Sequence, residues 1–283
     1  MLGWNWFKKK KVGAFNKHKK VKLGVAFGGG GARGVAFIGV IRAFEELGVT
    51  IDFISGTSIG SLVGALVAHG KNSAFMEEAL KTIKMKDIRN SKLIWKPSYA
   101  KNIENILLRL FGKDLMFSEL NIPFSAVCTD IKSGREVHID AGSVAKAVSG
   151  SCAVPGVFTP VEFGDMNLVD GMLTNNVPAD VARQMGANVV IAIDLHESRG
   201  AGTVSTKLLP ILSSSLGVLL QTNVNAKLKY ADIVLTPDLD RFKSTKIEAP
   251  DIMIEEGYKA VMAQKDEIIR MLSRKPKNKK YDT

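Results

Sequence analysis

The chain has 283 residues, a formal net charge of +11, an apolar fraction of 46% and two cysteines. That length suffices for one large α/β domain or two small ones, and the apolar fraction is ordinary for a folded protein. Two cysteines are too few for a disulfide framework, so we expect Cys128 and Cys152 to be buried thiols in a reducing compartment.

Positive charge is concentrated at the two ends of the chain, in residues 1–21 and 273–283. Basic tails attract anionic surfaces such as acidic lipid head groups, although a second interpretation is that they only aid solubility. Trp4, Trp6 and Phe7 precede the first lysines, a combination that favours the interface of an anionic membrane. No signal peptide, bilayer-spanning segment or element that reads nucleic acid is recognisable. We therefore expect a cytoplasmic protein that touches membranes at most peripherally and binds no nucleic acid.

Between these tails, residues 22–272 form a single predicted domain in which strand and helix patterns alternate. Strands are predicted, in chain order, at Lys22–Phe27, Ile51–Ile54, Phe124–Thr129, Glu136–Asp140, Val189–Asp194 and Ile233–Thr236. Helices are predicted at Ala32–Leu47, Ile59–Ala68, Val144–Ser149 and Glu255–Leu272, and residues 72–121 are mostly helical, with a candidate lid around 94–99. The alternation predicts an α/β fold with a largely parallel central sheet, covered by helices on both faces.

A glycine-rich loop follows the first predicted strand and opens the first predicted helix. Its residues are Gly29, Gly30, Gly31, Ala32, Arg33 and Gly34. Glycines at such a point let the backbone approach a ligand and aim N–H groups at an anion. The same spacing also occurs in turns that serve only packing and in dinucleotide-binding domains, where Asp52 would lie at a suitable distance for a ribose contact.

The segment Gly56-Thr57-Ser58-Ile59-Gly60 follows the second predicted strand and precedes an apolar helix. This is the setting of a nucleophile elbow, in which a serine is exposed on a tight strand-to-helix turn. Gly56 and Gly60 remove side chains that would collide there, and the helix N-terminus favours developing negative charge. The alternative is an ordinary helix start, capped by Thr57 or Ser58.

A serine hydroxyl needs a base before it can act as a nucleophile. No histidine has a sequence setting that suggests this role, and the chain has four: His18, His69, His138 and His196. Asp170, followed by Gly171 and Met172, has a better setting because it ends the apolar run 166–169. An isolated Asp-Gly pair is more often an ordinary turn, so this assignment depends on the other segments.

Together these three segments resemble the patatin-like phospholipases, the bacterial members in particular. A fourth segment, Ser151 to Pro160, is similar to the family's Ser-x-Ala-x-Pro-x-x-Phe-x-Pro stretch, which lies just upstream of the catalytic aspartate. The order and spacing of all four agree over about residues 22–240. Met172 departs from the family pattern, which usually has Gly or Ala at that position.

The resemblance implies a patatin-like three-layer sandwich and a lipid acyl hydrolase that cleaves fatty acyl esters, such as a phospholipase, lysophospholipase or esterase. Ser58 would form an acyl-enzyme and Asp170 would be the general base. Backbone N–H groups near Gly30 and Gly31 would form the oxyanion hole, with Arg33 supporting the loop. The resemblance implies no metal and no organic cofactor. Besides a nucleotide-binding protein, the alternative is a binding or regulatory protein that keeps this fold with little turnover.

Overall fold

A computed structural model of the chain describes residues 21–82, 98, 100–195, 211, 218 and 222–274. Most of both basic tails, His18, His196 and the candidate lid apart from Ser98 lie outside the described residues.

The described residues form one sheet of eight strands, in the order β5-β6-β3-β2-β1-β7-β8, with β4 also paired to β3. The strands are β1 Leu23–Phe27, β2 Phe53–Thr57, β3 Phe124–Asp130, β4 Arg135–Ile139, β5 Val161–Phe163, β6 Met166–Asp170, β7 Val189–Ile193 and β8 Ile233–Leu235. The run β3-β2-β1-β7-β8 is parallel throughout, whereas β4, β5 and β6 pair antiparallel. The predicted α/β class with a largely parallel sheet is therefore confirmed.

Eight α-helices are bounded within the described ranges, and none of them is long and apolar enough to cross a bilayer. They are α1 Ala36–Glu46, α2 Ile59–Ala68, α3 Ser73–Thr82, α4 Lys101–Phe111, α5 Val144–Ser151, α6 Ala179–Gln184, α7 Pro250–Met262 and α8 Lys265–Ser273. Three short 3-10 helices accompany them, at Gly31–Val35, Phe117–Glu119 and Gly171–Leu173.

Two predicted helices were wrong in their extent. The helix predicted at Ala32–Leu47 begins as the 3-10 helix, because the loop bends the chain before α1 starts. The helix predicted at Glu255–Leu272 is two helices, α7 and α8, and α7 starts at Pro250, whose fixed φ suits a first turn.

Helices cover both faces of the sheet because its central strands are apolar on both sides. Leu23, Val25 and Phe27 of β1 belong to an apolar cluster that includes α1 and α2, whereas Ala26 packs in a second cluster with Ala182 of α6. β7 alternates between the same two clusters. The result is the expected three-layer arrangement.

Strands β2 and β6 lie end to end along the same edge of β3. The other edge is occupied by β4, which pairs with residues Ala126–Asp130 of β3. β2 pairs with β3 as far as Val127 and β6 pairs from Cys128 onward, so these two strands share the opposite edge. Because β2 runs parallel to β3 and β6 runs antiparallel, their carboxyl ends meet. Thr57, the last residue of β2, therefore lies beside Asp170, the last residue of β6.

Candidate active site

Ser58 forms the turn between β2 and α2, with φ 53° and ψ −127°. This conformation is that of the first central residue of a type II′ turn, which favours glycine. In a non-glycine residue it costs about 1–3 kcal/mol. Gly60 makes the turn possible, because a Cβ there would overlap the carbonyl oxygen of Phe27, and Gly56 in turn approaches the Gly60 carbonyl.

Neither hydroxyl in this turn caps the helix that follows. Ser58 makes no side-chain capping bond, and Thr57 Oγ1 instead donates to the Asn175 carbonyl oxygen at 2.8 Å. The Ser58 carbonyl accepts from Ser61 Oγ at 2.6 Å, so the main chain of the elbow is fixed without the Ser58 side chain. The interpretation of this segment as a capped helix start is therefore not supported.

Asp170 is fully buried at the end of β6. Its Oδ1 accepts the Met172 N–H at 2.9 Å, whereas Oδ2 has no hydrogen bond of normal geometry to any described residue. Hydrogen bonds between catalytic groups are often long or poorly aligned in an enzyme before its substrate binds. Burial raises the pKa of Asp170 to about 7, although the nearby Ser58 hydroxyl and the Met172 amide lower it. A carboxyl group with a pKa near neutrality can both take up a proton and return it.

The glycine loop lies against the elbow, since a Cβ on Gly29 would come within 3.3 Å of the Ser58 Cβ. Three of its amide groups already have acceptors. Those of Gly29, Ala32 and Arg33 donate to the carbonyl oxygens of Asn176, Ser244 and Gly30, at 2.9, 2.8 and 3.2 Å. The N–H groups of Gly30 and Gly31 donate to no described residue. Among the described residues, these two amides have no acceptor, which makes them the candidates for binding an anion.

Arg33 and Gly34 fix the loop in place. The buried guanidinium group of Arg33 donates to the Phe242 carbonyl oxygen from Nε at 2.8 Å and from Nη2 at 2.6 Å, and to the Leu195 carbonyl at 3.4 Å. Gly34 lets the loop approach α2, because a Cβ there would overlap the Ile59 side chain. Both contacts keep the loop at the carboxyl end of β1.

Asn175 joins the two halves of the site, and sequence analysis did not find it. Its N–H donates to the Gly171 carbonyl at 2.8 Å, and its own carbonyl accepts the Thr57 hydroxyl. Its side-chain amide donates to Glu136 and Asp180, at 2.8 Å each. The position shortly after the Asp-Gly pair is the one signal for it, and the partners cannot be inferred from that position.

Lys227 and His138 complete this polar network. Lys227 Nζ lies 3.1 Å from Glu136 Oε2 and also pairs with Asp180. Burial raises the pKa of Glu136, but hydrogen bonds from His138 and Asn175 and the Lys227 charge outweigh it and lower the value to about 2. His138 Nε2 is 2.7 Å from Glu136 Oε1, so this ring is held by Glu136 and not by Ser58.

Other candidate nucleophiles and bases are less suitable than Ser58 and Asp170. His69 follows α2 at its carboxyl end, about 15 Å from Ser58 for a helix of this length. Burial raises the pKa of the Cys152 thiol, and the Asp170 charge raises it further, so it stays protonated and unreactive. Within the described ranges, no group of three or more His, Cys, Asp or Glu side chains is arranged to hold a metal ion.

Asp52 has a structural role that removes the main support for a dinucleotide site. Its carboxylate accepts the Leu23 N–H at 2.9 Å, at the amino end of β1. The glycine loop follows Phe27, at the carboxyl end of the same strand. Ligands of open parallel sheets bind at the carboxyl ends of the strands, so Asp52 lies at the wrong end for a ribose contact.

Comparison with known proteins agrees with this architecture. In overall fold the chain is similar to VipD from Legionella pneumophila, with a TM-score of 0.62, 12% identity, and coverage of 89% of this chain and 67% of that chain. It is 38% identical over 188 residues to patatin-like phospholipase domain-containing protein 7 of Mus musculus. It is 32% identical over 179 residues to an uncharacterized NTE family protein of Mycobacterium bovis.

The alignments with these two relatives cover 61% and 62% of this chain, but 13% and 50% of the relatives' own lengths. The chain thus corresponds to only part of each relative. A family model described as patatin-like phospholipase matches residues 25–183, a segment that contains both Ser58 and Asp170. Because that match covers more than half of the chain, the protein belongs to the patatin-like phospholipase family.

Proposed function

We propose that the protein is a lipid acyl hydrolase that cleaves fatty acyl esters through an acyl-enzyme on Ser58, with Asp170 as the general base. The observation that carries the proposal is the end-to-end meeting of β2 and β6, which places a strained serine beside a fully buried carboxyl group. Both features destabilise the fold, and groups of this kind cluster at functional sites.

In the proposed mechanism, ionised Asp170 accepts the Ser58 proton through Oδ2 as Oγ bonds to the ester carbonyl carbon. The negative charge that develops on the former carbonyl oxygen is stabilised by the N–H groups of Gly30 and Gly31 and by the start of α2. One such donor contributes about 3 kcal/mol. The bond to the alcohol then breaks, and the alcohol leaves with the proton held by Asp170. Water attacks the acyl-enzyme and gives its proton to Asp170, and the fatty acid leaves as Ser58 regains a proton.

The substrate class is proposed from the family and from the charge of the chain. The names of the relatives favour phospholipids over soluble esters. The basic residues of 1–21 and 273–283 favour anionic membranes, each well-placed lysine contributing about 1 kcal/mol. Binding to anionic vesicles that does not weaken with added salt would contradict this electrostatic part of the proposal.

Fatty acid release from a panel of lipids tests the proposed function. The panel contains phospholipids with different head groups, lysophospholipids and neutral glycerides, presented in vesicles of constant anionic charge. We expect release by the wild-type protein and none by the Ser58→Ala variant. Folded wild-type protein that hydrolyses neither these lipids nor a p-nitrophenyl ester would instead favour a binding or regulatory role.

The pH dependence of kcat/KM should report the ionisation of Asp170. The base must be ionised, so we expect kcat/KM to fall as pH drops, with a midpoint at about 7. The midpoint should change little with temperature, as carboxyl ionisation does, whereas an imidazole would shift it strongly. His69→Gln and His138→Gln are the controls and should leave the midpoint in place. A midpoint near 4 would show that burial does not raise the pKa of Asp170 in the free enzyme. Loss of the midpoint in either control would show that a histidine, and not Asp170, is the base.

A further inference from the structure

The segment Ser151–Ala153 contacts the main chain of both members of the proposed dyad. The Ser58 N–H donates to Ser151 Oγ at 3.0 Å, and the Asp170 N–H donates to the Ala153 carbonyl oxygen at 3.0 Å. This segment begins at the last residue of α5, so one short stretch of chain fixes the nucleophile and the base relative to each other.

The Ser151 hydroxyl is itself held in place. It is completely buried and donates to the Val127 carbonyl oxygen at 2.6 Å. Val127 is the β3 residue paired with Thr57, at the point where the carboxyl ends of β2 and β6 meet. The Ser151 hydroxyl therefore accepts a hydrogen bond from the Ser58 N–H and donates one to β3, the strand that aligns the two proposed catalytic side chains. A side chain without a hydroxyl could do neither.

Because the backbone of Ser58 is strained, the hydrogen bond from its N–H to Ser151 affects the direction of the Ser58 side chain. A serine with φ 53° tends to relax toward negative φ, which would rotate its N–H and its Oγ away from their present directions. The bond to Ser151 opposes that rotation on the amino side, and the bond from Ser61 opposes it on the carbonyl side. The hydrogen bond to Ser151 also occupies the Ser58 N–H, so this amide does not serve as an oxyanion donor.

We infer that Ser151 is a positioning residue, which keeps the Ser58 hydroxyl directed at substrate and base by holding the Ser58 N–H. The inference rests on the proposed function of Ser58 and deepens it. Ser151 touches neither substrate nor the reacting atoms, so its loss lowers the rate of acylation and leaves substrate binding and the ionisation of Asp170 in place.

The variants Ser151→Thr and Ser151→Val form the central test, because they have the same shape and only threonine has a hydroxyl. Ser149→Ala is the matched control for Ser151→Ala. Ser149 lies on the same helix, is also completely buried and donates its hydroxyl to the Ala100 carbonyl oxygen at 2.7 Å. The measurements are kcat and KM with a p-nitrophenyl ester, the rate of labelling by a fluorophosphonate, and thermal unfolding followed by circular dichroism. All rates refer to folded protein.

We expect Ser151→Ala and Ser151→Val to lower both kcat and the labelling rate by roughly 10- to 100-fold, the effect of one unpaired buried amide. KM should change by no more than about threefold, as expected when a transition-state interaction alone is lost. The midpoint of the pH profile should stay at about 7. Ser151→Thr should retain most of the activity, and Ser149→Ala should lose stability without this loss of kcat.

Three results would overturn the inference. The first is equal activity of Ser151→Val and Ser151→Thr, and the second is a fall in kcat for Ser149→Ala as large as that for Ser151→Ala. The third is a Ser151→Val variant that does not fold while Ser151→Thr does, which would make the hydroxyl purely structural. Failure of the proposed function is distinct, because the wild-type protein would then neither hydrolyse esters nor be labelled.

Discussion

Replacing Ser58 by alanine is expected to lower kcat for ester hydrolysis by about six orders of magnitude, as the loss of the nucleophilic serine does in subtilisin. Labelling by a fluorophosphonate probe should disappear, because no other described nucleophile lies in an activated setting. Intact-mass measurement of the labelled protein and a fatty-acid-release assay check the two outcomes independently.

Ser125→Ala is the control for this experiment. Ser125 is a buried serine on the neighbouring strand β3, and its hydroxyl has no hydrogen-bond partner within the described ranges. Its removal should leave both labelling and activity unchanged. Retained labelling of Ser58→Ala would show that another residue is the nucleophile.

Ser58→Gly should be inactive yet more stable than the wild type by about 1 kcal/mol, because glycine adopts this conformation without strain.

Replacing Asp170 by asparagine is expected to have opposite effects on activity and on stability. Activity should fall by about 10²- to 10⁴-fold, the usual contribution of a general base. Stability at pH 8 should rise, since asparagine can still accept the Met172 N–H but cannot become a buried charge. Initial rates and urea unfolding at several pH values measure both effects.

The sign of the stability change depends on pH. The pKa of Asp170 is raised from 3.8 to about 7 in the folded protein, so the native state binds its proton more tightly than the unfolded state. The stability contributed by this proton is fully present below pH 3.8 and is lost as pH rises through 7. The gain from Asp170→Asn should therefore be absent at pH 4 and reach at most about 4 kcal/mol at pH 8. An equal gain at both pH values would mean that Asp170 is not the ionising group.

Local sequence patterns predicted the elements that have strong periodicity or clear boundaries. The bounds of the helix predicted at Ile59–Ala68 are confirmed, since the preceding Gly-Thr-Ser turn marks its start. The strand predicted at Ile51–Ile54 lies instead at Phe53–Thr57. Gly56 and Thr57 lack the apolar character of a buried strand, and they are in the sheet because β3 and β1 pair with that segment on both sides.

In the candidate site too, local sequence patterns predicted single residues, whereas contacts between distant segments were not predicted. Ser58 and Asp170 were each predicted from a short motif and a family resemblance, and their catalytic roles stay predictions. The β5–β6 hairpin that places Asp170 was not predicted, because three-residue β5 is too short for a clear alternation. The bonds of Ser151 to Ser58 and of Lys227 to Glu136 join distant parts of the chain. Such pairings depend on the register of the sheet, which no single segment contains.

The anchoring of the glycine loop has a consequence for how this catalytic unit can be excised or transplanted. The family match ends at residue 183, and a fragment cut there would keep both proposed catalytic side chains. It would lose the Phe242 carbonyl that holds the Arg33 guanidinium group and the Ser244 carbonyl that accepts the Ala32 N–H. A buried charge would lose hydrogen bonds, and the amides of Gly30 and Gly31 would no longer be preorganised. The smallest portable unit therefore extends to at least residue 244, well past the segment by which the family is recognised.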